Sequence, residues 1–322
     1  MRSKAMTSGD FVLAIHGGAG TIAADRIDAS PFHAGLHAAL EAGGAVLRAG
    51  GSALDAVEAA VMALEDCPLF NAGRGAVYTA DATHELDASI MEGTTLKAGA
   101  VAGVNRVRNP VSLARRVMEA GGPVLLAGSG AQRFAEEQGL ATEAPAYFHV
   151  EHRLAQLRFI QAGGSREAAL DHSVHVPAPI IEDRKFGTVG AVARDRNGRL
   201  AAAVSTGGMT NKKPGRIGDS PIVGAGIYAN DRTCAVAATG TGEAFLRAVA
   251  AHDVHARMLY RGECLDAAAA GVIHESLAGL GGEGGLVAVD SAGRVAMPFN
   301  TRGMYRGVIR AGEAPRTMIH SE

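Results

Sequence analysis

The chain has 322 residues, 47% of them apolar, enough to enclose a sizeable core in one large domain or two small ones. Lys and Arg total 31 against 33 for Asp and Glu, a formal net charge of −2 that supplies no broad field for nucleic acid or an anionic membrane, so any charged ligand has to be held locally. Three scattered cysteines, Cys67, Cys234 and Cys264, argue against a disulfide framework. No apolar run reaches membrane-spanning length or makes a secretory signal after Met1, so a cytoplasmic protein is expected.

Residues 11–16, Phe-Val-Leu-Ala-Ile-His, read as a buried strand that delivers a glycine loop at Gly17-Gly18-Ala19-Gly20. From about 32 to 65 apolar side chains recur at three- and four-residue intervals, broken near Gly50-Gly51 with Ser52 as an N-cap, which predicts two amphipathic helices. Cys67 to Gly75 is turn-rich, and a hairpin is expected around residues 81–91. Helices return at 111–119 and 130–139, whereas 163–186 is polar, proline-bearing and aperiodic and reads as a linker. Strands follow at 188–194 and 200–205 across an Asn197-Gly198 turn, then at 222–228 and 235–238. Helices at 243–257 and 265–280, a closing hairpin from 286–290 to 295–299 and a loose tail at 316–322 complete the chain. This order favours packed antiparallel sheets covered by helices over a doubly wound parallel sheet.

Thr188 opens an apolar strand directly after Gly187 and the linker. A lone threonine there is ordinarily a strand residue. Downstream, however, strand ends run into Ser205-Thr206-Gly207-Gly208, Arg216-Ile217-Gly218-Asp219 and Thr239-Gly240-Thr241-Gly242, loops of small hydroxyl and glycine residues. Hydroxyls and exposed N–H groups at strand ends suit acyl transfer, because the oxyanion of a tetrahedral intermediate needs preorganised donors. Arg216 and Asp219 could grip the two ends of a small zwitterion, one by a two-pronged carboxylate contact and the other by accepting from an ammonium; on spacing alone a surface ion pair fits equally well.

These blocks, together with His16-Gly17-Gly18-Ala19-Gly20, Asn71-Ala72-Gly73-Arg74-Gly75, Glu85-Leu86-Asp87-Ala88, Leu96-Lys97-Ala98-Gly99 and Pro298-Phe299-Asn300-Thr301, resemble in order and content the plant-type asparaginases, or isoaspartyl aminopeptidases, of the N-terminal nucleophile hydrolases. The resemblance covers nearly the whole chain. It implies an α+β fold, an αββα four-layer sandwich of two mainly antiparallel sheets covered by helices, in one structural domain. It implies self-cleavage between Gly187 and Thr188 into an α-chain of residues 1–187 and a β-chain of 188–322, paired further as a homodimer of cleaved αβ units. The freed α-amine of Thr188, titrating near ~7.7–8.0, would act as base for its own hydroxyl.

Position by position, the resemblance sets Thr206 beside Thr188, makes Thr239 and the Gly240 N–H the oxyanion hole, and brings Asn71 to the oxyanion side. Arg216 would hold the substrate α-carboxylate, and Asp219 with the Gly242 carbonyl the α-amine, so that a β-amide faces the nucleophile. Asparagine or a β-aspartyl dipeptide is the implied substrate, with glycosylasparaginase activity the neighbouring alternative. No cofactor is implied for catalysis. A structural sodium ion is implied on the backbone carbonyls of Leu64, Glu65, Cys67, Phe70, Ala72 and Arg74.

Gly18-Ala19-Gly20-Thr21-Ile22-Ala23 also fits a dinucleotide-binding G-x-G-x-x-A turn, although its acidic partner would be Glu41, inside a helical stretch. His16-Gly17-Gly18 looks like an esterase oxyanion loop, yet no G-x-S-x-G follows, and His16 reads as a structural histidine at a strand end. His33 with His37, and His252 with His255, share helix faces but lack a third ligand and read as solvated. A non-enzymatic binding protein is consistent only with a chain that never cleaves.

Overall fold

The computed structural model describes residues 10–20, 22, 28–163 and 187–320; the expected linker lies, apart from residue 163, outside the described residues. The chain runs β1 (Val12–Gly20), α1 (Ser30–Arg48), α2 (Ala53–Glu65), β2 (Leu86–Glu92), β3 (Ala98–Val104), α3 (Pro110–Ala120), β4 (Leu125–Ala127), α4 (Gly128–Glu137) and α5 (Glu151–Gln161). After the linker come β5 (Thr188–Arg194), β6 (Leu200–Thr206), β7 (Ile227–Ala229), β8 (Cys234–Gly240), α6 (Gly242–Ala248), α7 (Ala250–Arg261), α8 (Leu265–Gly271), β9 (Gly284–Asp290), β10 (Val295–Ala296), β11 (Gly303–Arg310) and β12 (Arg316–Met318).

Eight strands form one sheet in the order β12-β11-β1-β5-β6-β2-β3-β4, antiparallel except for β3 beside β4, and four form a second in the order β10-β9-β8-β7. Helices α1, α2 and α3 cover the outer face of the large sheet, α7 and α8 the outer face of the small one, and β1, β5 and β6 pack against β8 and β9 between them. The result is the expected α+β sandwich of helix, sheet, sheet and helix.

The central strands are buried on both faces, so they carry small apolar residues without polar alternation, as in Leu-Ala-Ala-Ala-Val of β6 and Cys-Ala-Val-Ala-Ala of β8. Along β5 the side chains of Val189, Ala191 and Ala193 enter the helix-side core, and Val192 the core between the sheets. Helix α2 starts at Ser52, whose hydroxyl accepts from Asp55 N–H at 3.1 Å, and buries Leu54, Val57, Val61 and Leu64, each contributing roughly 1.5–3 kcal/mol. A Cβ at Gly43 would meet the Ala56 carbonyl at 2.6 Å; its absence lets α1 and α2 close on each other.

Several expectations are corrected. Gly17 to Gly20 continue β1 past a bulge instead of forming a loop, so His16 is a mid-strand residue, and every neighbour of β1 is antiparallel, which removes the dinucleotide-binding reading. The expected 81–91 hairpin is β2 with β3, turning at 93–97. Residues 222–226 are turn and bridge, leaving only Ile227–Ala229 as a strand. The 243–257 helix breaks at Val249, φ +50°, because the first N–H groups of α7 are taken by loop carbonyls, Ala251 by Ala225 at 3.1 Å and His252 by Gly224 at 2.8 Å. The 265–280 helix passes into a π-turn at Val272–Leu277. The supposed loose tail pairs with β11 through β12 and buries Ile319.

Candidate active site

Three strand ends meet where the two sheets face each other. β5 opens on Thr188 and β6 closes on Thr206, and antiparallel pairing sets the two opposite one another. β8, packed on β5 from the other sheet, closes on Thr239 and Gly240. The Thr239 hydroxyl lies 3.4 Å from both the Thr188 and the Ala19 backbone N–H, which donate to it. The Thr206 hydroxyl donates to the Gly187 carbonyl at 3.2 Å and accepts from Gly208 N–H at 2.9 Å. A hydroxyl has one proton to give, so that of Thr206 is committed to the carbonyl of the Gly187–Thr188 bond.

Asn71, on the loop after α2, donates from Nδ2 to the Gly208 carbonyl at 2.7 Å and accepts at Oδ1 from Val77 N–H at 2.9 Å. A Cβ on Gly187 would lie 2.6 Å from Asn71 Cβ, so only glycine fits directly before Thr188.

The charged end of the site is formed by the loop after β6. Asp219 is buried; burial raises its carboxyl to about 7 against the pull of Arg216, and its Oδ2 has no hydrogen-bond partner among the described residues. Arg216 places Nε and Nη2 on the Glu243 carboxylate at 3.0 and 2.9 Å, so its ion-pair partner is Glu243, and Asp219, being buried, does not form the surface pair that the spacing allowed. A Cβ on Gly242 would meet Arg216 Nη2 at 2.8 Å and Asp219 Oδ1 at 3.1 Å, and one on Gly218 would meet Arg216 Nη1 at 2.9 Å. These glycines make room for a guanidinium and a carboxylate side by side. Thr188, Thr206, Gly208, Met209, Arg216, Gly218, Asp219, Ser220 and Gly240 line one pocket. A larger apolar cavity of about 370 Å³ between α3 and α4 holds no nucleophile.

Two site residues escaped the sequence reading. Ser220 Oγ stands 3.3 Å from Thr188 Oγ, and the Ser220 carbonyl accepts from Ser89 Oγ at 2.5 Å. Glu243 supplies the carboxylate on Arg216. Each adjoins a residue that was singled out, Asp219 or Gly242, but neither type nor spacing marks it. His16 is fully enclosed beside Gly190, and burial lowers its pKa to about 3, which keeps the ring neutral as a structural group. Among the described residues no cluster of His, Cys, Asp and Glu could hold a metal. His255 is buried against the Thr233 hydroxyl at 2.5 Å and is not solvated as expected.

Leu64, Glu65, Cys67, Phe70, Ala72 and Arg74 span the end of α2 and the loop that presents Asn71. The carbonyls of Cys67, Phe70 and Ala72 each accept one backbone N–H, at 3.4, 2.9 and 3.0 Å, and keep a second lone pair, whereas that of Leu64 accepts from both Asp66 and Cys67 N–H. Gly73 takes φ +49°, and a Cβ there would lie 2.6 Å from the Glu65 carbonyl oxygen. Neutral oxygens in a loop this tightly wound fit a hard cation. Arg153, buried on α5, donates to the same loop, from Nε to the Gly75 carbonyl at 3.1 Å and from Nη2 to the Leu69 carbonyl at 3.3 Å.

Comparison with known proteins returns one family model, described as asparaginase, which matches residues 9–319. An isoaspartyl peptidase of Salmonella typhimurium is 55% identical over 314 residues, covering 97% of this chain and 99% of that protein. An isoaspartyl peptidase of Escherichia coli is 53% identical over 317 residues, 98% and 97% of the two chains. A plant-type L-asparaginase of Pyrobaculum calidifontis is 40% identical over 304 residues, 94% and 97%.

Proposed function

The chain belongs to the asparaginase family, and from that premise we propose that it is an amidohydrolase that hydrolyses L-asparagine to aspartate and ammonia and cleaves β-aspartyl dipeptides, with Thr188 as nucleophile. The supporting observation is the buried Thr188 hydroxyl at a strand end, in one pocket with Thr206, Gly240, Arg216 and Asp219.

The nucleophile is made by the chain itself. Thr188 Oγ attacks the Gly187 carbonyl carbon, whose oxygen already accepts from Thr206. The peptide C–N bond breaks as the nitrogen takes a proton, leaving an ester that water hydrolyses to the Gly187 carboxylate and a free Thr188 α-amine. That amine, near ~7.7–8.0 in the unperturbed state, then accepts the hydroxyl proton during turnover.

In turnover Arg216 holds the substrate α-carboxylate on the guanidinium edge turned away from Glu243, and Asp219 with the Gly242 carbonyl holds the α-ammonium. The β-carbonyl then meets Thr188 Oγ, and its developing oxyanion is stabilised by Thr239, the Gly240 N–H and the Asn71 side. Ammonia or an amino acid leaves with the proton from Oγ, and water releases aspartate from the β-aspartyl ester. Sodium bound by the 64–74 carbonyls would stiffen the loop that carries Asn71 and takes no part in bond-making. Two cleaved units pair as a dimer in the cytoplasm in this reading; among the described residues no helix is long and apolar enough to cross a membrane.

The test is Thr188→Ala beside the unaltered enzyme. The unaltered protein should give two fragments, one beginning Thr-Val-Gly-Ala, and should release ammonia from asparagine and leucine from β-Asp-Leu. The variant should stay intact and inactive; hydrolysis by it at an undiminished rate overturns the assignment.

A further inference from the structure

Lys212 carries a buried ammonium that the reaction above does not use. Its side chain is 1% exposed, on the loop between β6 and β7, and Nζ donates to the Glu85 backbone carbonyl at 2.8 Å and lies 3.8 Å from the Glu85 carboxylate. Burial lowers its pKa, while Asp87 and Glu85 pull it back towards the charged form. The backbone on both sides is tied independently, Lys212 N–H to the Met209 carbonyl at 3.1 Å and the Lys212 carbonyl to Ala80 N–H at 2.8 Å. An apolar side chain would anchor the loop with less desolvation, so the charge calls for its own explanation.

Its position supplies one. Gly208 lines the pocket at φ +81°, and a Cβ there would meet Lys212 Cδ at 2.9 Å, Lys212 Nζ at 3.2 Å and Arg216 Nη1 at 3.5 Å. Ammonium and guanidinium therefore converge on one point of the pocket wall, where the lack of a side chain leaves little between them and a ligand. Two cations held together in a partly dry site repel one another and both gain when an anion arrives. The acidic groups nearest Lys212 belong to the N-terminal half: Glu85, which also accepts from Gly215 N–H at 3.0 Å, and Asp87, opposite Thr206 in the sheet, whose Oδ2 is buried with no partner among the described residues; Arg216 has Glu243 on its own far edge at 2.9 Å.

We propose that Lys212 is a second cationic element of the carboxylate subsite: its charge, acting through the wall at Gly208, raises affinity for the α-carboxylate that Arg216 holds, and Glu85 sets how much of it the pocket feels. This rests on the reading of Arg216 given above. The experiment compares Lys212→Met, Lys212→Arg, Glu85→Gln and Arg216→Ala in mature enzyme, by competitive inhibition with L-aspartate and with β-alaninamide, which keeps the amine and amide but lacks the α-carboxylate.

Lys212→Met should weaken aspartate and raise KM for asparagine about tenfold, the scale for unit charges ~6 Å apart between the dielectric limits of protein and water, with kcat and β-alaninamide binding changed less than about twofold. Lys212→Arg should recover most of the loss. Glu85→Gln should act with the opposite sign and tighten aspartate about two- to threefold, which decides the matter even if Lys212→Met fails to fold. Unchanged aspartate affinity in a folded Lys212→Met, equal weakening of both inhibitors, or a Glu85→Gln that weakens aspartate each overturns the proposal. Should Arg216→Ala leave aspartate affinity intact, the carboxylate assignment itself fails.

Discussion

In the proposed reaction Asp219 has to be charged to receive the substrate ammonium, yet burial raises its pKa to about 7. Below neutrality the free enzyme therefore holds the neutral acid, which has lost the charge that attracts an ammonium. KM for asparagine should rise by up to about tenfold per pH unit as pH falls below about 7. The Thr188 amine, by contrast, should shape kcat. Steady-state kinetics from pH ~5.5 to ~8.5 separate the two, and a flat KM across that range would contradict the assignment of Asp219. The stability sign follows from the same shift: the folded pKa lies above the unfolded value of ~3.9, so the contribution is complete below ~4 and is lost as pH climbs through about 7. Hydroxyls and glycines gathered at strand ends in separate blocks drew attention to Thr188, Arg216 and Asp219, but on the residues alone a plain strand threonine and a surface ion pair fitted as well, and only the family resemblance gave them roles. Ser220, Glu243 and Lys212 were not legible in the sequence, since their importance comes from facing another residue across the fold, as Ser220 faces Thr188 over 3.3 Å.

One loop does most of the positioning among the elements. Residues 66–75 must present Asn71 against Gly187, and they have little regular structure to hold them. Arg153 on α5 supplies the missing donors by bonding the Leu69 and Gly75 carbonyls from a buried position. Arg153→Met would leave two carbonyls without that partner, at a cost of about 2 kcal/mol or more. Thermal unfolding should shift down, and conversion of precursor to fragments should slow, because Asn71 loses its fixed approach to the scissile residue. An Arg153→Met protein that melts and matures like the parent would remove this role. Helix α5 was not read from the sequence at all, while α1 and α2 were read almost to their ends, and the difference is physical: α2 has a capped start and one broad apolar face, whereas α5 buries Arg153 and Gln156 beside Leu157. β3 went unread for a related reason, being Ala-Gly-Ala-Val-Ala-Gly-Val with no alternation for a strand pattern to catch.

At the scale of the molecule, the two halves on either side of Gly187–Thr188 are interleaved. β1, from the N-terminal half, lies between β11 and β5 of the C-terminal half, and β2 lies against β6, so three seams of the large sheet join the two halves. Cutting the chain should therefore leave one particle, but it changes what unfolding means: the precursor unfolds to one chain, the mature enzyme to two. Mass action then makes the mature enzyme's denaturation midpoint depend on concentration. For a single cleaved unit, a tenfold dilution removes about 1.4 kcal/mol, or roughly 0.5 M urea at a slope of ~3 kcal/mol/M. If two units are paired the precursor also becomes concentration-dependent, but its midpoint should move only about a third as far, since it releases two chains where the mature form releases four. Urea titrations of mature enzyme and of Thr188→Ala precursor across a hundredfold concentration range measure that ratio directly. Equal shifts in the two proteins would mean that the active form unfolds as an unbroken chain, and self-cleavage would have to be given up.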